Sequence, residues 1–140
     1  MHIELDAVRS LIISGTADPQ EPGDLQSEQY ETAVQACCAL ASVFLSSGYD
    51  VAIDDVLELD AFNRSWMPAL GEMEAKVVIL VPKLDETLHR AAMRTKRVKP
   101  ELIWAQHTAC SIWPQSAQVD STGLTLDETL QLLRERGLLP

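Results

Sequence analysis

Five consecutive apolar residues, Val77 to Val81, are closed by Pro82. An apolar run of this length without polar alternation is typical of a β-strand that is covered on both faces, as in the parallel sheet of an α/β protein. Two shorter segments, Ile3 to Leu5 and Val51 to Ile53, are also predicted to be strands, and Ala117 to Asp120 is suited to an edge strand. The chain is therefore expected to contain a sheet of parallel strands.

Segments with helical spacing of apolar residues separate these strands. The longest runs from Asp24 to Ser47 and is followed by Gly48, a residue type that commonly ends helices. Shorter helices are predicted for Ala7 to Ile12, Asp60 to Leu70, Asp85 to about Lys96, Pro100 to Trp113, and Thr125 to Arg136, the last with the capping box Thr125-Leu126-Asp127-Glu128. Strands that alternate with helices form βαβ units. The predicted fold is therefore α/β, a three-layer parallel sheet with helices on both faces, in a single domain of residues 1–140.

Composition restricts the class of protein. The chain has the composition of a globular protein, with 46% hydrophobic and 23% charged residues. Its formal net charge of -10 would repel nucleic acid and anionic membranes. No apolar run approaches the ~18 residues of a membrane span, and the start of the chain lacks the features of a signal peptide. We therefore expect a cytoplasmic protein with no nucleic-acid or membrane partner.

Two sets of distinctive side chains are predicted to be buried. Three cysteines show no metal-binding spacing and are expected to be small buried thiols in a reducing compartment: Cys37, Cys38 and Cys110. Three tryptophans lie among apolar neighbours at helical positions and are expected to anchor the core or an interface: Trp66, Trp104 and Trp113. No Cys/His pair at a known spacing and no G-x-S-x-G motif supports a hydrolase.

Positive charge is concentrated in one segment. Six of the eleven basic residues lie within positions 83–99, namely Lys83, Arg90, Arg94, Lys96, Arg97 and Lys99. Because two acidic residues lie in the same segment, it carries +4, which leaves -14 on the rest of the chain. Guanidinium groups match phosphate oxygens in geometry and keep their charge at physiological pH. The segment is therefore predicted to bind an anion, and a solvated helix face is the alternative.

Aspartates follow the predicted strands. Asp6 follows the first strand, Asp54 and Asp55 follow the second, and Asp120 ends the last. Because ligands bind at the carboxyl ends of the strands in parallel sheets, these carboxylates are expected to face the basic segment across one site. Such a site would be suited to holding Mg²⁺, orienting a hydroxyl and binding a polyphosphate. The alternative for each aspartate is a structural role in a turn or cap.

Four segments of the chain, taken in order, show a family resemblance. They are His2 to Arg9 (HIELDAVR), Gly48 to Val56 (GYDVAIDDV), Arg90 to Val98 (RAAMRTKRV) and Val119 to Thr125 (VDSTGLT). Together they resemble successive landmarks of small P-loop phosphotransferases, and most of all the chloramphenicol phosphotransferase-like group. The resemblance covers essentially the whole chain. It implies a P-loop kinase-like fold with ATP and Mg²⁺ as cofactors and a small molecule as substrate.

The resemblance also implies roles for residues near the start of the chain. Asp6 would be the general base that accepts the proton of the substrate hydroxyl while that hydroxyl attacks the γ-phosphate of ATP. Arg9 would help to position the substrate or the phosphate. Both residues would then belong to the catalytic site.

Further roles are implied for the second strand end and for the basic segment. Asp54, with Asp55 beside it, would fill the second acidic position of the nucleotide site and act on Mg²⁺ directly or through water. The lid arginines would neutralise the charge that develops on the transferred phosphoryl group, and the resemblance assigns this part to Arg90, Arg94 and Arg97.

The chain departs from the family at the phosphate loop. It contains no Gly-Lys pair and shows no G-x-x-x-x-G-K-[ST] motif, which in the family follows the central strand of the sheet. Either that strand and loop precede Met1 in a longer protein, or the domain has lost them. Loss of the central strand would leave the strands of Val51 and Val77 about two strand spacings of ~4.8 Å apart, and the sheet would have to close this gap by pairing the two strands or fill it with a strand from another chain.

Two functions follow from these observations as expectations. The first is ATP-dependent phosphotransfer to a small-molecule hydroxyl, weak or absent in the chain as it stands because the phosphate loop is missing. The second is a noncatalytic binding or oligomerising module derived from a P-loop kinase, in which an exposed sheet edge would support homo-oligomers.

Overall fold

The structure is a computed structural model that describes residues 1–95 and 98–139, so that Lys96 and Arg97 of the basic segment lie outside the described residues. The strands are β1 (His2–Glu4), β2 (Ala52–Asp54), β3 (Ile79–Leu80) and β4 (Gln118–Val119). The helices are α1 (Leu5–Arg9), α2 (Asp24–Ser46), α3 (Leu59–Ala61), α4 (Met67–Leu70), α5 (Leu84–Met93), α6 (Pro100–Ser111) and α7 (Leu126–Glu135), with a π-helical turn at Phe62–Trp66. The chain divides into two compact units, of which the first comprises Met1–Val56 and Asp60–Glu74 and the second comprises Leu57–Leu59 and the residues from Ala75 onward.

In the first unit, β1 and β2 pair in parallel, with Ile3 opposite Ile53. Alternation along β1 directs Ile3 into the core and leaves its two neighbours exposed. The predicted strand Ile3 to Leu5 begins and ends one residue too late, because Leu5 is buried as the first residue of α1 and no longer belongs to the strand. The predicted helix Ala7 to Ile12 is likewise shorter in the structure, since α1 ends at Arg9.

Helix α2 provides the longest apolar face of the first unit, and α1, α4 and the π-helical turn pack against it. The predicted helix is confirmed, and Gly48 just beyond its end adopts a left-handed conformation with φ 83°. Leu40, an apolar residue of the same helix, is exposed. The buried residues of α2 that continue the helical spacing are Ala33, Val34, Cys37, Cys38 and Ala41.

The predicted helix Asp60 to Leu70 is confirmed as a helical segment but is not a regular α-helix. Pro68 in α4 has no N–H to donate to the carbonyl of Arg64, and the turn before it widens into the π-helical turn. Trp66 at the end of this turn is buried, as predicted.

In the second unit, β3 and β4 pair in parallel, with Ile79 opposite Gln118 and Leu80 opposite Val119. Only two residues of the apolar run Val77 to Val81 join this pairing. Leu80 is 49% exposed, so the expectation that the run is covered on both faces is wrong at this residue. The buried core of the unit is formed by Ile79, Ile103, Trp113, Val119 and Leu133.

The helices of the second unit begin within one residue of their predicted starts, but α5 ends early, and α6 ends at Ser111, two residues before the predicted Trp113. Helix α7 has the predicted capping box, in which Thr125 Oγ1 accepts from the N–H of Glu128, and Glu128 Oε2 accepts from the N–H of Thr125 at 2.8 Å. Helix α5 ends at Met93 and not near Lys96, and Arg94 has extended backbone angles of φ -77° and ψ 148°. Of the arginines that the resemblance assigns to a lid, Arg90 therefore lies on the helix, and Arg94 lies beyond its end.

Both units combine helices with one pair of parallel strands, and at this level the predicted α/β class is confirmed. Trp104, predicted to be an anchor, is 55% exposed and is not a core residue. Across residues 1–95 and 98–139, no helix has both the length and the apolar character needed to cross a membrane.

Candidate functional site

The carboxyl end of β2 presents two adjacent aspartates to different surroundings. Asp54 is the last residue of the strand and lies opposite Glu4 on the exposed face of the sheet. Its Oδ1 is 2.5 Å from Nε2 of His2, and both side chains are mostly exposed. Asp55 follows as the next residue and is half-buried. Because successive residues of a strand point to opposite faces, the two carboxylates do not act as one pair.

Asp55 belongs to a hydrogen-bonded cluster with two aromatic side chains. Its Oδ2 accepts from the hydroxyl of Tyr30 at 2.7 Å and from Nε1 of Trp66 at 3.2 Å. The same indole nitrogen donates to the Tyr30 hydroxyl at 3.0 Å. The sequence pattern identified Tyr30 and Trp66 only as apolar helix positions, although the polar group of a buried aromatic side chain usually needs a partner. Asp55 is that partner.

The ionisation of Asp55 depends on burial and on Asp6. Burial raises the pKa of Asp55, hydrogen bonds from Tyr30 and Trp66 lower it, and the negative charge of Asp6 raises it, so that the pKa lies above its usual value of 3.8. Asp6 is exposed in the first turn of α1, directly after β1. The carboxyl ends of β1 and β2 therefore bring Asp6 and Asp55 into electrostatic contact, while Asp54 faces the other side.

A thiol close to this cluster is not a candidate nucleophile. Cys37 is fully buried, and burial together with the charges of Cys38, Asp55 and Asp54 raises its pKa to about 11. A thiol with this pKa is protonated at neutral pH, and the thiolate is the reactive form. Cys37 and Cys38 are buried as predicted, and Cys110 is half-buried.

Arg9 lies one turn after Asp6 on α1 and is only 6% exposed. Its Nη2 donates to the carbonyl of Ala17 at 3.4 Å, and its Nε has no hydrogen-bond partner. The loop above it is held by Gln29 of α2, whose Nε2 donates to the carbonyl of Gly15 at 2.7 Å and whose Oε1 accepts from the N–H of Ala17 at 2.9 Å. Arg9 is thus a buried cation among neutral hydrogen-bonding groups.

In the second unit, Arg90 is occupied by contacts within the protein. Its Nε donates to Glu86 Oε1 at 2.7 Å, one helical turn earlier on α5. Its Nη2 donates to the carbonyl of Ser121 at 3.0 Å and to that of Leu124 at 3.3 Å. Arg90 therefore holds the loop that follows β4 against α5. Arg94, by contrast, is exposed beyond the end of the helix.

The loop after β4 is also held by its own side chains. Asp120 Oδ1 accepts from the N–H of Thr122 at 2.8 Å and from its hydroxyl at 2.5 Å. The Thr122 hydroxyl in turn accepts from the N–H of Lys83 at 2.8 Å, just before α5. The hydrogen bonds from Thr122, and to a lesser extent the charge of Lys83, lower the pKa of Asp120. Asp120 acts here as a turn residue, the alternative role considered for it.

A cavity of about 420 Å³ lies at the carboxyl end of the β3–β4 pair. It is lined by Leu80, Glu86, Arg90 and residues of the loop and first turn between Ser121 and Thr129. A larger cavity of about 540 Å³ in the first unit lies between α2 and α4 and includes none of the predicted site residues. Of the two, the smaller cavity has the position and the charged lining expected of a ligand site in a parallel sheet.

The predicted site residues fall into two sets. Asp6, Arg9, Asp54 and Asp55 belong to the first unit, whereas Arg90 and Arg94 belong to the second. Arg97 lies outside the described residues. Their convergence on one site stays a prediction. In the part of the chain that the structure describes, no three or more metal-ligating side chains gather in one place.

No protein-family model matches this chain, and no curated protein matches it significantly. The family resemblance therefore depends on the four sequence segments alone.

Proposed function

We propose that this chain belongs to an ATP-dependent phosphotransferase of the P-loop type, which phosphorylates a hydroxyl of a small molecule. The chain would supply the part that binds this acceptor molecule, together with the lid arginines. The observation that supports it most is the strand pairing, β1 with β2 and β3 with β4, each pair parallel and separated in sequence by helices. In P-loop phosphotransferases the central strand, which leads into the phosphate loop, lies between the strands that β2 and β3 resemble. A chain of this kind without that strand is expected to form two parallel pairs.

The proposed complete domain is a three-layer sheet with the phosphate-loop strand at its centre. In that arrangement β2 and β3 would each pair with the central strand along the edge that they do not use for β1 or β4. The aspartates after β1 and β2 would then lie at the same carboxyl edge as the phosphate loop, where parallel sheets bind ligands.

Asp6 is the proposed general base. Its carboxylate is exposed at the start of α1, and it lies close enough to Asp55 to raise the pKa of that residue. The acceptor hydroxyl would donate its proton to Asp6 while its oxygen attacks the γ-phosphorus and ADP leaves. Asp55, whose carboxylate accepts hydrogen bonds from Tyr30 and Trp66, would fix the end of β2 beside Asp6 and would not contact the phosphates directly.

Arg94 is the proposed lid arginine with a free guanidinium. It is exposed, and neither ion pair found among the described residues includes it. Arg90 makes hydrogen bonds to Glu86 and to the loop after β4, so its proposed part is to hold that loop in place. Neutralisation of charge on the transferred phosphoryl group would therefore depend on Arg94 more than on Arg90, with Arg97 as the further candidate from sequence.

The described residues offer part of a Mg²⁺ site, but the sequence lacks the groups that would bind the phosphates of ATP. Asp54 offers one exposed carboxylate, which contacts His2 and faces away from Asp6 and Asp55, and Mg²⁺ is commonly held by one or two carboxylates with phosphate oxygens and water. When bound with the phosphates, the ion would neutralise part of their charge. The phosphates themselves need the backbone N–H groups and lysine of a Gly-rich loop, which this sequence lacks. Phosphotransfer by the 140-residue chain is therefore proposed to be weak or absent.

The lack of a Gly-Lys loop also favours a second candidate function, a noncatalytic binding or oligomerising module. In this case Asp6 and Arg94 would take no part in chemistry, and an open edge of β2 or β3 would pair with another chain.

Phosphotransfer is best tested with the protein as its gene encodes it, including any residues upstream of Met1. The assay is transfer of label from radiolabelled ATP to a panel of alcohols, sugars and nucleosides. The variants Asp6→Asn and Arg94→Ala are expected to reduce turnover by ~10³-fold or more without changing the unfolding temperature. Asp127→Asn, an exposed acid on α7, is the control and should turn over normally.

Two results would contradict the proposal. Turnover that persists unchanged in both Asp6→Asn and Arg94→Ala would remove their assigned roles, and no transfer to any acceptor would favour the noncatalytic module. The 140-residue chain is expected to show no micromolar affinity for Mg-ATP in isothermal titration. Micromolar affinity would mean that the phosphates bind without the missing loop.

A further inference from the structure

A cavity of about 540 Å³ lies in the first unit, where α4 packs against α2. Cys38, Ala39 and Ser42 of α2 line one side of it, and Leu70 and Met73 at and beyond the end of α4 line the other. Its volume is within the range of ~300–1,000 Å³ that is common for ligand sites. None of the described residues of the proposed phosphotransfer site lines this cavity, so the proposed function leaves it without a role.

The face of α2 that lines the cavity becomes acidic towards the start of the helix. Asp24, Glu28 and Glu31 are exposed, and their spacings of four and three residues place them on one helix face. Gln35 and Ser42 continue the same face and line the cavity. The face therefore runs from an acidic end at Asp24 to an uncharged end at Ser42, over about 27 Å at the rise of an α-helix.

The first unit supplies almost no positive charge to balance this face. Within residues 1–56 and 60–74, thirteen acidic and two basic residues give a net charge of -11. One of the two basic residues, Arg9, is buried, and neither ion pair of the described residues includes an acid of the α2 face. A surface with one sign of charge attracts ligands of the opposite sign. A ligand of this face is therefore expected to be a cation.

We propose that the groove between α2 and α4 binds a basic amphipathic helix of another protein. Lysine or arginine side chains of that helix would lie beside Asp24, Glu28 and Glu31, and its apolar side chains would enter the cavity against Leu70 and Met73. Helices that bind in grooves present their anchoring residues on one face in the same way.

The shape and charge of the face favour this partner over two others. The acidic stripe and the cavity follow one another along the helix, so a small amine would reach one of them and not both. A second copy of the chain is disfavoured, because its own first unit carries the same charge of -11. The proposal concerns a surface separate from the phosphotransfer site and does not depend on that function.

The test uses the 140-residue chain and three synthetic peptides of about 18 residues, the helical length that matches the face. The first peptide is an amphipathic helix of leucine and lysine, the second has the same composition in an order without amphipathic spacing, and the third replaces lysine with glutamate. Backbone amide signals are followed by nuclear magnetic resonance at about 0.15 M salt, which screens long-range attraction. The first peptide is expected to shift the signals of residues 24–42 and 69–73 in a saturable manner. The second should bind about tenfold more weakly or less, and the third should not bind.

Charge substitutions test the acidic end of the groove. The double variant Glu28→Gln with Glu31→Gln is expected to weaken binding of the leucine–lysine peptide about fivefold, because two exposed charge pairs are lost. The matched control is Glu4→Gln with Asp60→Asn, which removes two exposed acids elsewhere in the first unit. This control should bind as the unchanged chain does, since it alters the net charge equally.

A bulky substitution tests the cavity. Ala39→Trp places a large side chain at an exposed position on the cavity wall and is expected to weaken binding about tenfold or more, because apolar anchors supply most of the energy of such interfaces. Ala105→Trp, at an exposed position of α6, is the control and should leave binding unchanged.

Three results with the unchanged chain would overturn the proposal, and none of them depends on a variant that folds. The first is an absence of saturable shifts in residues 24–42 and 69–73, and the second is equal binding of the peptide without amphipathic spacing, which would reflect net charge alone. The third is occupation by something else: hexylammonium that binds the cavity as tightly would make it a site for a small amine, and the same shifts on concentrating the chain alone would make a second copy the occupant. Because ATP and acceptor are absent, each result is read independently of phosphotransfer.

Discussion

At the scale of single residues, Asp54 and Asp55 show how neighbours of the same type acquire different chemistry. Asp54 remains exposed beside His2, whereas Asp55 is half-buried and accepts hydrogen bonds from Tyr30 and Trp66. The alternation of a strand already implies that one of the two turns inward. Its partners lie 25 and 11 residues away along the chain, and no local pattern identifies them.

The raised pKa of Asp55 predicts an unusual pH dependence of stability. Since the folded state binds the proton more tightly than the unfolded chain does, the stabilising contribution of Asp55 is fully present below pH 3.8 and is lost as the pH rises through the folded pKa. The free energy of unfolding of the unchanged chain, relative to Asp55→Asn, should therefore increase as the pH falls from 7 towards 4. Urea denaturation at several pH values measures it.

Asp120→Asn provides the matched control, because the pKa of Asp120 is lowered. The stabilising contribution of Asp120 is present above pH 3.8 and is lost as the pH falls through the folded pKa. The free energy of unfolding of the unchanged chain, relative to Asp120→Asn, should therefore decrease as the pH falls. If both variants followed the same trend, the assignment of Asp55 as a carboxyl whose pKa is raised by burial would be wrong.

At the scale of secondary-structure elements, helix beginnings were predicted better than helix ends. Pro100 and the capping box at Thr125 specify the starts of α6 and α7 through local chemistry, and both occur as predicted. The end of α5 has no comparable signal, since no glycine follows it. Arg90 and Arg94 would be like charges one turn apart if the helix continued, which disfavours a further turn. The helix ends at Met93, and this removes Arg94 from the helix face.

Removal of the capping box should destabilise the second unit measurably. Thr125→Ala is expected to lower the free energy of unfolding by about 1 kcal/mol, because it leaves the first N–H groups of α7 without the Thr125 hydroxyl. Thr32→Ala is the control. The Thr32 hydroxyl donates to the carbonyl of Glu28 within α2, and alanine is the better helix former, so that change should be neutral or slightly stabilising. Equal effects of the two substitutions in chemical denaturation would contradict the role of the cap.

At the scale of the whole molecule, neither β2 nor β3 has a second strand partner within the described chain, so the outer edge of each is open. In β3, the N–H groups of Ile79 and Val81 donate to carbonyls of Ala117 and Val119, so the N–H of Leu80 between them points away from β4. The same alternation in β2 directs Ala52 towards Met1 and the backbone of Ile53 away from β1. Open edges of this kind are suited to pairing with a further strand.

The open edge of β3 predicts self-association of the 140-residue chain. Sedimentation velocity is expected to show association that increases with protein concentration. Leu80→Pro is expected to reduce this association, because proline removes the N–H on the open edge while the hydrogen bonds of Ile79 and Val81 to their partners remain. Leu80→Ala retains the N–H and should associate as the unchanged chain does. If Leu80→Pro associated as strongly, contacts other than this edge would be responsible.

Local sequence was sufficient for the elements, and tertiary contacts were needed for the site. The course of α2, the caps of α7 and the α/β alternation follow from periodicity and capping, which act over a few residues. The burial of Arg9, the engagement of Arg90 with Ser121 and the hydrogen bonds of Asp55 with Tyr30 and Trp66 arise from packing between distant segments. Solvation and hydrogen bonding of a charged group depend on which segments surround it, and those surroundings exist only once the chain has folded.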